Sequence, residues 1–86
     1  MSAVIHTLKT WPEFFAAVLD DRKTFEVRRC DDRTFAVGDV LRLQEWSHAD
    51  GYSGRELDRV VGYVVAGPPF LPEGTAVLGF ARGDHG

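Results

Sequence analysis

The chain has 86 residues, 44% of them hydrophobic, which suits one compact domain over residues 1–86, near the size at which a single core barely suffices without staples. Its formal charge of −3, from 10 Lys and Arg against 13 Asp and Glu, excludes a global attraction to phosphate backbones or anionic membranes and leaves only local patches for such contacts. Cys30 is the single cysteine, which excludes an intrachain disulfide and a thiolate-rich zinc site, and no apolar run approaches a membrane span.

The first residues are polar and soon charged, without a secretory core, so the expected location is cytoplasmic. Ala3 to Leu8 alternate weakly around Val4 and Ile5 and predict a short first strand. Thr10, Trp11, Pro12 and Glu13 then mark a helix start, with Thr10 as cap, Glu13 completing a capping box and Pro12 tolerated in the first turn. Trp11, Phe14, Phe15, Val18 and Leu19 recur at helical spacing, which predicts a core-facing stripe on a helix of about ten residues. Trp11, beside Lys9 at the helix mouth, is the one aromatic kept open as a ligand contact.

Asp20 and Asp21 end the helix, and Thr24 to Arg29 follows as a strand. Its period of two puts Phe25 and Val27 on one face, expected to enter the core, and Thr24, Glu26 and Arg28 on the other, expected to face outward. On that second face Glu26 lies next to Arg28, with Lys23 at the strand entry, so a carboxylate stands between two cations. Such a cluster suits polar recognition or acid/base work, although mixed charges on a solvated strand are also ordinary surface and contribute only about 0 to 1 kcal/mol.

Residues 30–34 form a polar loop, and Phe35, Val37 and the turn pair Gly38-Asp39 lead into a strand from Val40 to Trp46, with Leu41 and Leu43 on one face. Asp50-Gly51 is a hairpin signal. From Glu56 to Val65 the odd positions are mostly apolar, and Val60 and Val64 predict burial of both faces at the far end. A breaker-rich loop from Gly67 to Gly74 precedes a last strand, Ala76 to Ala81, and residues 83–86 are expected to fray. His6, His48 and His85 are scattered without ligand spacing, so no metal is assigned, and no phosphate loop or nucleophile elbow points to a cofactor.

Strand, helix and four further strands joined by turns describe an α+β domain with a small, mostly antiparallel barrel and one main N-terminal helix. The residues also resemble a known family. Gly-x-Lys-x-x-Glu-x-Arg is the hallmark of the ASCH domain, a small barrel related to the PUA RNA-binding domains, and it stands here as Asp21, Lys23, Glu26 and Arg28, departing only at the glycine. The Leu8-Lys9 and Trp11-Pro12 entry, Phe14-Phe15, Asp32-Arg33, Phe35-x-Val37-Gly38-Asp39 and Tyr52-x-Gly54-Arg55 resemble a small bacterial and phage branch of that family.

The resemblance implies a PUA-like barrel and an RNA or modified-nucleotide partner in a cleft between barrel and helix. Lys23 and Arg28 would meet phosphate or base acceptors, and Glu26 would orient them or accept from an exocyclic amine. Arg33 and Lys9 would extend the cationic rim, while Trp46 and Tyr52, flanking the hairpin, would stack on a base or simply pack on the hairpin. Two other classes stay open. Some ASCH relatives resemble ribonucleases, and one branch removes the acetyl group from N4-acetylcytidine with a Lys, a Thr and a distant Glu. Lys23 matches that Lys, but Glu26 occupies the Thr position and Thr24 lies two residues earlier, so Lys23 and Glu26 would be the catalytic pair of any such hydrolase. A protein-interaction domain, using a strand edge and the Pro68-Pro69-Phe70 loop, fits the composition equally. Whether the chain forms a small oligomer is left open.

Overall fold

The computed structural model of the chain describes residues 4–31 and 33–82. The elements are β1 (Ile5–Thr10), α1 (Pro12–Leu19), β2 (Phe25–Arg29), β3 (Val40–Ser47), β4 (Gly51–Ala66) and β5 (Thr75–Phe80). The expected tail at 83–86, the first residue of the expected strand, Ala3, and the loop residue Asp32 lie outside the described residues.

The strands form a five-stranded sheet in the order β1-β3-β4-β5-β2. β1 runs parallel to β3, with His6 opposite Leu41 and Leu8 opposite Leu43, whereas the β3–β4, β4–β5 and β5–β2 pairs are antiparallel. Alternation explains the first ladders: His6, Leu8 and Thr10 of β1 point inward, as do Leu41 and Leu43 of β3. Phe15 and Val18 of α1 cover these residues, and Leu78, Ala76 and Val61 complete the core.

Two features of the expected α+β barrel are corrected. Strand takes 53% of the described residues and helix 10%, so the domain is mostly β with one short helix. The sheet is open and mixed rather than a closed, mostly antiparallel PUA-like barrel, because β1 and β2 remain edge strands. The physical reason lies in what faces the gap between them. Arg28 of β2 sends its Nη2 to the carbonyl of Lys9 on β1 at 2.8 Å, so a side chain spans the place where a backbone rung would close the sheet.

β2 also presents the face opposite to the one expected. Glu26 is 3% exposed while Phe25 and Val27 are 41% and 50% exposed, so the charged face looks inward and the apolar face outward. Hydrophobicity alone fails here because Glu26 enters already paired with two cations, which removes most of the cost of burying a charge. The far end of β4 is corrected likewise. An irregularity between Val61 and Tyr63 shifts the inward phase, so Val61 is buried and Val64 packs on the core while Val60 and Tyr63 are exposed. Gly62 sits at that irregularity because a Cβ there would lie 2.6 Å from the Cα of Ala81.

Candidate functional site

The site begins at the two ends of α1. The expected cap, Thr10, is instead the last residue of β1, where its hydroxyl donates to the carbonyl of Leu8 at 3.2 Å; Trp11 takes the N-cap position without a side-chain bond, and Pro12 starts the helix. Trp11, Phe14 and Leu19 are exposed, so only Phe15 and Val18 of the expected core stripe are buried. An eight-residue helix is too narrow to bury that many large side chains on one face.

At the other end the amide of Asp21 donates to Val18 and that of Arg22 to Ala17, the paired bonds of a Schellman closure. Asp21 occupies its left-handed position, with φ of 63°. This is where the resembled motif carries glycine, the residue that reaches such a conformation freely. Lys23 also donates its amide to Ala17, so the helix stop fixes where this lysine enters the site.

Lys23, Glu26 and Arg28 then converge. Lys23 Nζ donates to Glu26 Oε1 at 2.7 Å and to the carbonyl of Phe25 at 2.9 Å. Arg28 Nε donates to Glu26 Oε2 at 2.9 Å, and its Nη2 reaches the Lys9 carbonyl and, at 3.4 Å, Thr10 Oγ1. Each carboxylate oxygen of Glu26 therefore holds a different cation, and both cations are further anchored to backbone. Ion pairs of this kind, desolvated on one partner and hydrogen-bonded on the others, fix geometry more firmly than exposed pairs do.

Above the cluster lies a cleft of about 470 Å³, lined by Lys9, Thr10, Trp11 and Phe14 on one side and by Lys23 with Phe25, Glu26, Val27 and Arg28 on the other. This volume lies within the range of small-molecule sites, roughly 300–1,000 Å³. The ammonium of Lys23 stands 5.5 Å from the ring of Phe14 and 5.1 Å from that of Phe25, so two exposed aromatic faces flank a cation.

Of the other expected contacts, Lys9 lines the cleft and holds its ammonium 4.2 Å over the ring of Trp46. Trp46 stands behind Lys9 rather than in the cleft lining, and Tyr52, paired opposite it across the hairpin, is exposed and also outside the lining. Arg33 is elsewhere: it borders a separate cavity of about 120 Å³ with Cys30, Phe35 and Val64. Arg33 therefore does not extend the rim of this cleft, because it borders the β4–β5 side with Cys30 and Thr34, beside Val64, Ala66 and Ala76.

Sequence reasoning missed Phe14 and Phe25 as walls and His48 as a neighbour. The imidazole of His48 meets Trp46 edge-on at 4.7 Å and Trp11 at 5.7 Å, which links the cleft mouth to the hairpin. The excess of large apolar residues on so short a helix was the available signal for Phe14. Nothing local foretold His48.

A second buried polar pair lies apart from the cleft. Asp39 Oδ2 accepts from His6 Nε2 at 2.9 Å and from the amide of Ala36 at 3.0 Å, and the imidazole packs on Phe35. The bond from His6 holds the Asp39 carboxyl below the usual carboxylate range, against burial, which acts in the opposite direction.

Comparison with curated proteins finds no match. Residues 5–80 match the model of a domain of unknown function, DUF3850. That span covers nearly all of the chain, from β1 to the end of β5 and with the whole Lys23–Glu26–Arg28 cluster inside it, so the chain belongs to the DUF3850 family.

Proposed function

We propose that this domain recognises RNA or a modified nucleotide in the cleft between α1, the end of β1 and the edge of β2, as an ASCH-type module. The observation that carries the reading is the buried Glu26, which holds Lys23 and Arg28 side by side at the base of a cleft walled by Trp11, Phe14 and Phe25. Fixed cations beside exposed aromatic faces are what an unstacked base and its backbone require. The acidic net charge fits recognition of one or two nucleotides rather than of a long duplex.

The binding reading is preferred to a hydrolase because Glu26, with an almost wholly enclosed carboxylate committed to two cations, is poorly placed to take a proton from substrate. A titration of end-labelled single-stranded RNA, followed by anisotropy and then by a denaturing gel in the presence of chelator, tests both. The expected result is saturable binding to intact RNA, with a shallow salt dependence whose log–log slope is about −1 for one or two cation–phosphate contacts, and loss of binding in Arg28→Ala. Unchanged binding by a folded Arg28→Ala would remove the cleft as the site, and cleavage lost in Glu26→Ala would make the domain a metal-independent ribonuclease.

A further inference from the structure

Resting on that nucleotide reading, we infer that the cleft selects bases by an acceptor edge, and that guanine is favoured over adenine. Hydrogen-bonding capacity at the base of the cleft is divided unevenly between donors and acceptors. The acceptors that anchor the two cations are each engaged: Glu26 Oε1 and the Phe25 carbonyl take Lys23, while Glu26 Oε2, the Lys9 carbonyl and Thr10 Oγ1 take Arg28. The Thr10 hydroxyl proton is itself committed to the Leu8 carbonyl.

The donors, by contrast, are in surplus. An ammonium has three N–H donors and a guanidinium five. Lys23 uses one proton on Glu26 and one on Phe25, and Arg28 uses Nε and Nη2, so among the described residues the third Lys23 proton and both Arg28 Nη1 protons have no protein partner. The Glu26 side chain is 5% exposed, whereas those of Lys23 and Arg28 are 18% and 25% exposed, so a ligand meets the donors before it can reach the carboxylate.

A base in this cleft must therefore present acceptors. The N7 and O6 edge of guanine offers two adjacent acceptors and suits a cationic donor pair. Adenine has the same outline but carries an amino donor at position 6, which would face the donors of Lys23 or Arg28 with the Glu26 carboxylate enclosed behind them, and a donor set against a donor forfeits its hydrogen bond. The flanking rings of Phe14 and Phe25 supply stacking for either purine, so the discrimination comes from the edge and not from ring size. Glu26 is on this view a positioning residue that aims the two cations.

The test is equilibrium anisotropy competition on the wild-type protein with five-residue oligoadenylates in which only the central base changes to guanine, inosine or 7-deazaguanine. Guanine and inosine, which share N7 and O6, are expected to bind about tenfold or more tighter than adenine, and 7-deazaguanine, which lacks N7, should lose most of that gain. Lys23→Ala, checked for folding by circular dichroism, should bring the guanine-to-adenine ratio toward one. Equal affinity for all central bases, or preference for adenine, would overturn the inference while leaving nucleotide binding standing. No binding by any of them would overturn both.

Discussion

Replacing Glu26 with Gln keeps the shape of the side chain and removes its charge, so it isolates what the carboxylate contributes. In the wild type the two oxygens accept from Lys23 at 2.7 Å and from Arg28 at 2.9 Å. Glutamine retains one acceptor and turns an amide donor toward the other cation, so one contact weakens and the other becomes a donor facing a donor. Loss of one partner from a fully buried pair costs about 3–5 kcal/mol. Both cations here are partly exposed and recover some hydration, which brings the expected cost to about 2–3 kcal/mol. For a domain of this size that corresponds to a fall in Tm of roughly 10–20 °C. Urea unfolding followed by tryptophan fluorescence and circular dichroism measures the change, and the midpoint should move without a change in slope. A loss below about 0.5 kcal/mol would refute the argument that the triad holds the gap between β1 and β2.

Gly62→Ala is expected to cost about 1–3 kcal/mol, seen as a lower thermal midpoint, because the added Cβ meets Ala81 backbone at 2.6 Å and the strands must part. An unchanged midpoint would mean that the β4–β5 irregularity can relax freely. Asp21→Val should lose roughly 1–2 kcal/mol, since a β-branched residue strains at φ of 63°, whereas Asp21→Gly should lose nothing measurable; equal effects of the two would show that the helix stop does not need the left-handed position. Asp39 lies below its unfolded value near 3.9, so the stability that it contributes is fully present above about pH 4 and disappears as pH falls through the folded value. Asp39→Asn should therefore flatten the pH dependence of unfolding below about pH 4, and an unaltered acid limb would assign that dependence to other carboxylates.

The strand order in sequence, the single helix, the hairpin at Asp50-Gly51 and the inward face of β3 follow from alternation and turn chemistry, which act over a few residues. The spacing of Lys23, Glu26 and Arg28 likewise brought three charges together before any contact was known, and they meet in the fold. Which way that cluster points was not local information. A period-two rule assigns Phe25 and Val27 to the core, but burial of Glu26 becomes cheap only once Lys23, delivered by the helix stop, and Arg28 hold both oxygens. The same holds for Phe14 and His48, whose roles depend on which side of a short helix meets β3 and on where the hairpin returns.

By itself the sequence determined the elements, their approximate bounds and the charged trio, because each depends on propensities and spacings within a few residues of one another. Tertiary structure alone decided that β1 and β2 stay unpaired edges with an arginine between them, that the trio faces inward, and that a cleft opens above it. Those outcomes depend on how β1, parallel to β3, and β2, antiparallel to β5, approach from opposite ends of the sheet. The geometry of that approach is set by the twist and register of the strands between them, and no local pattern encodes it.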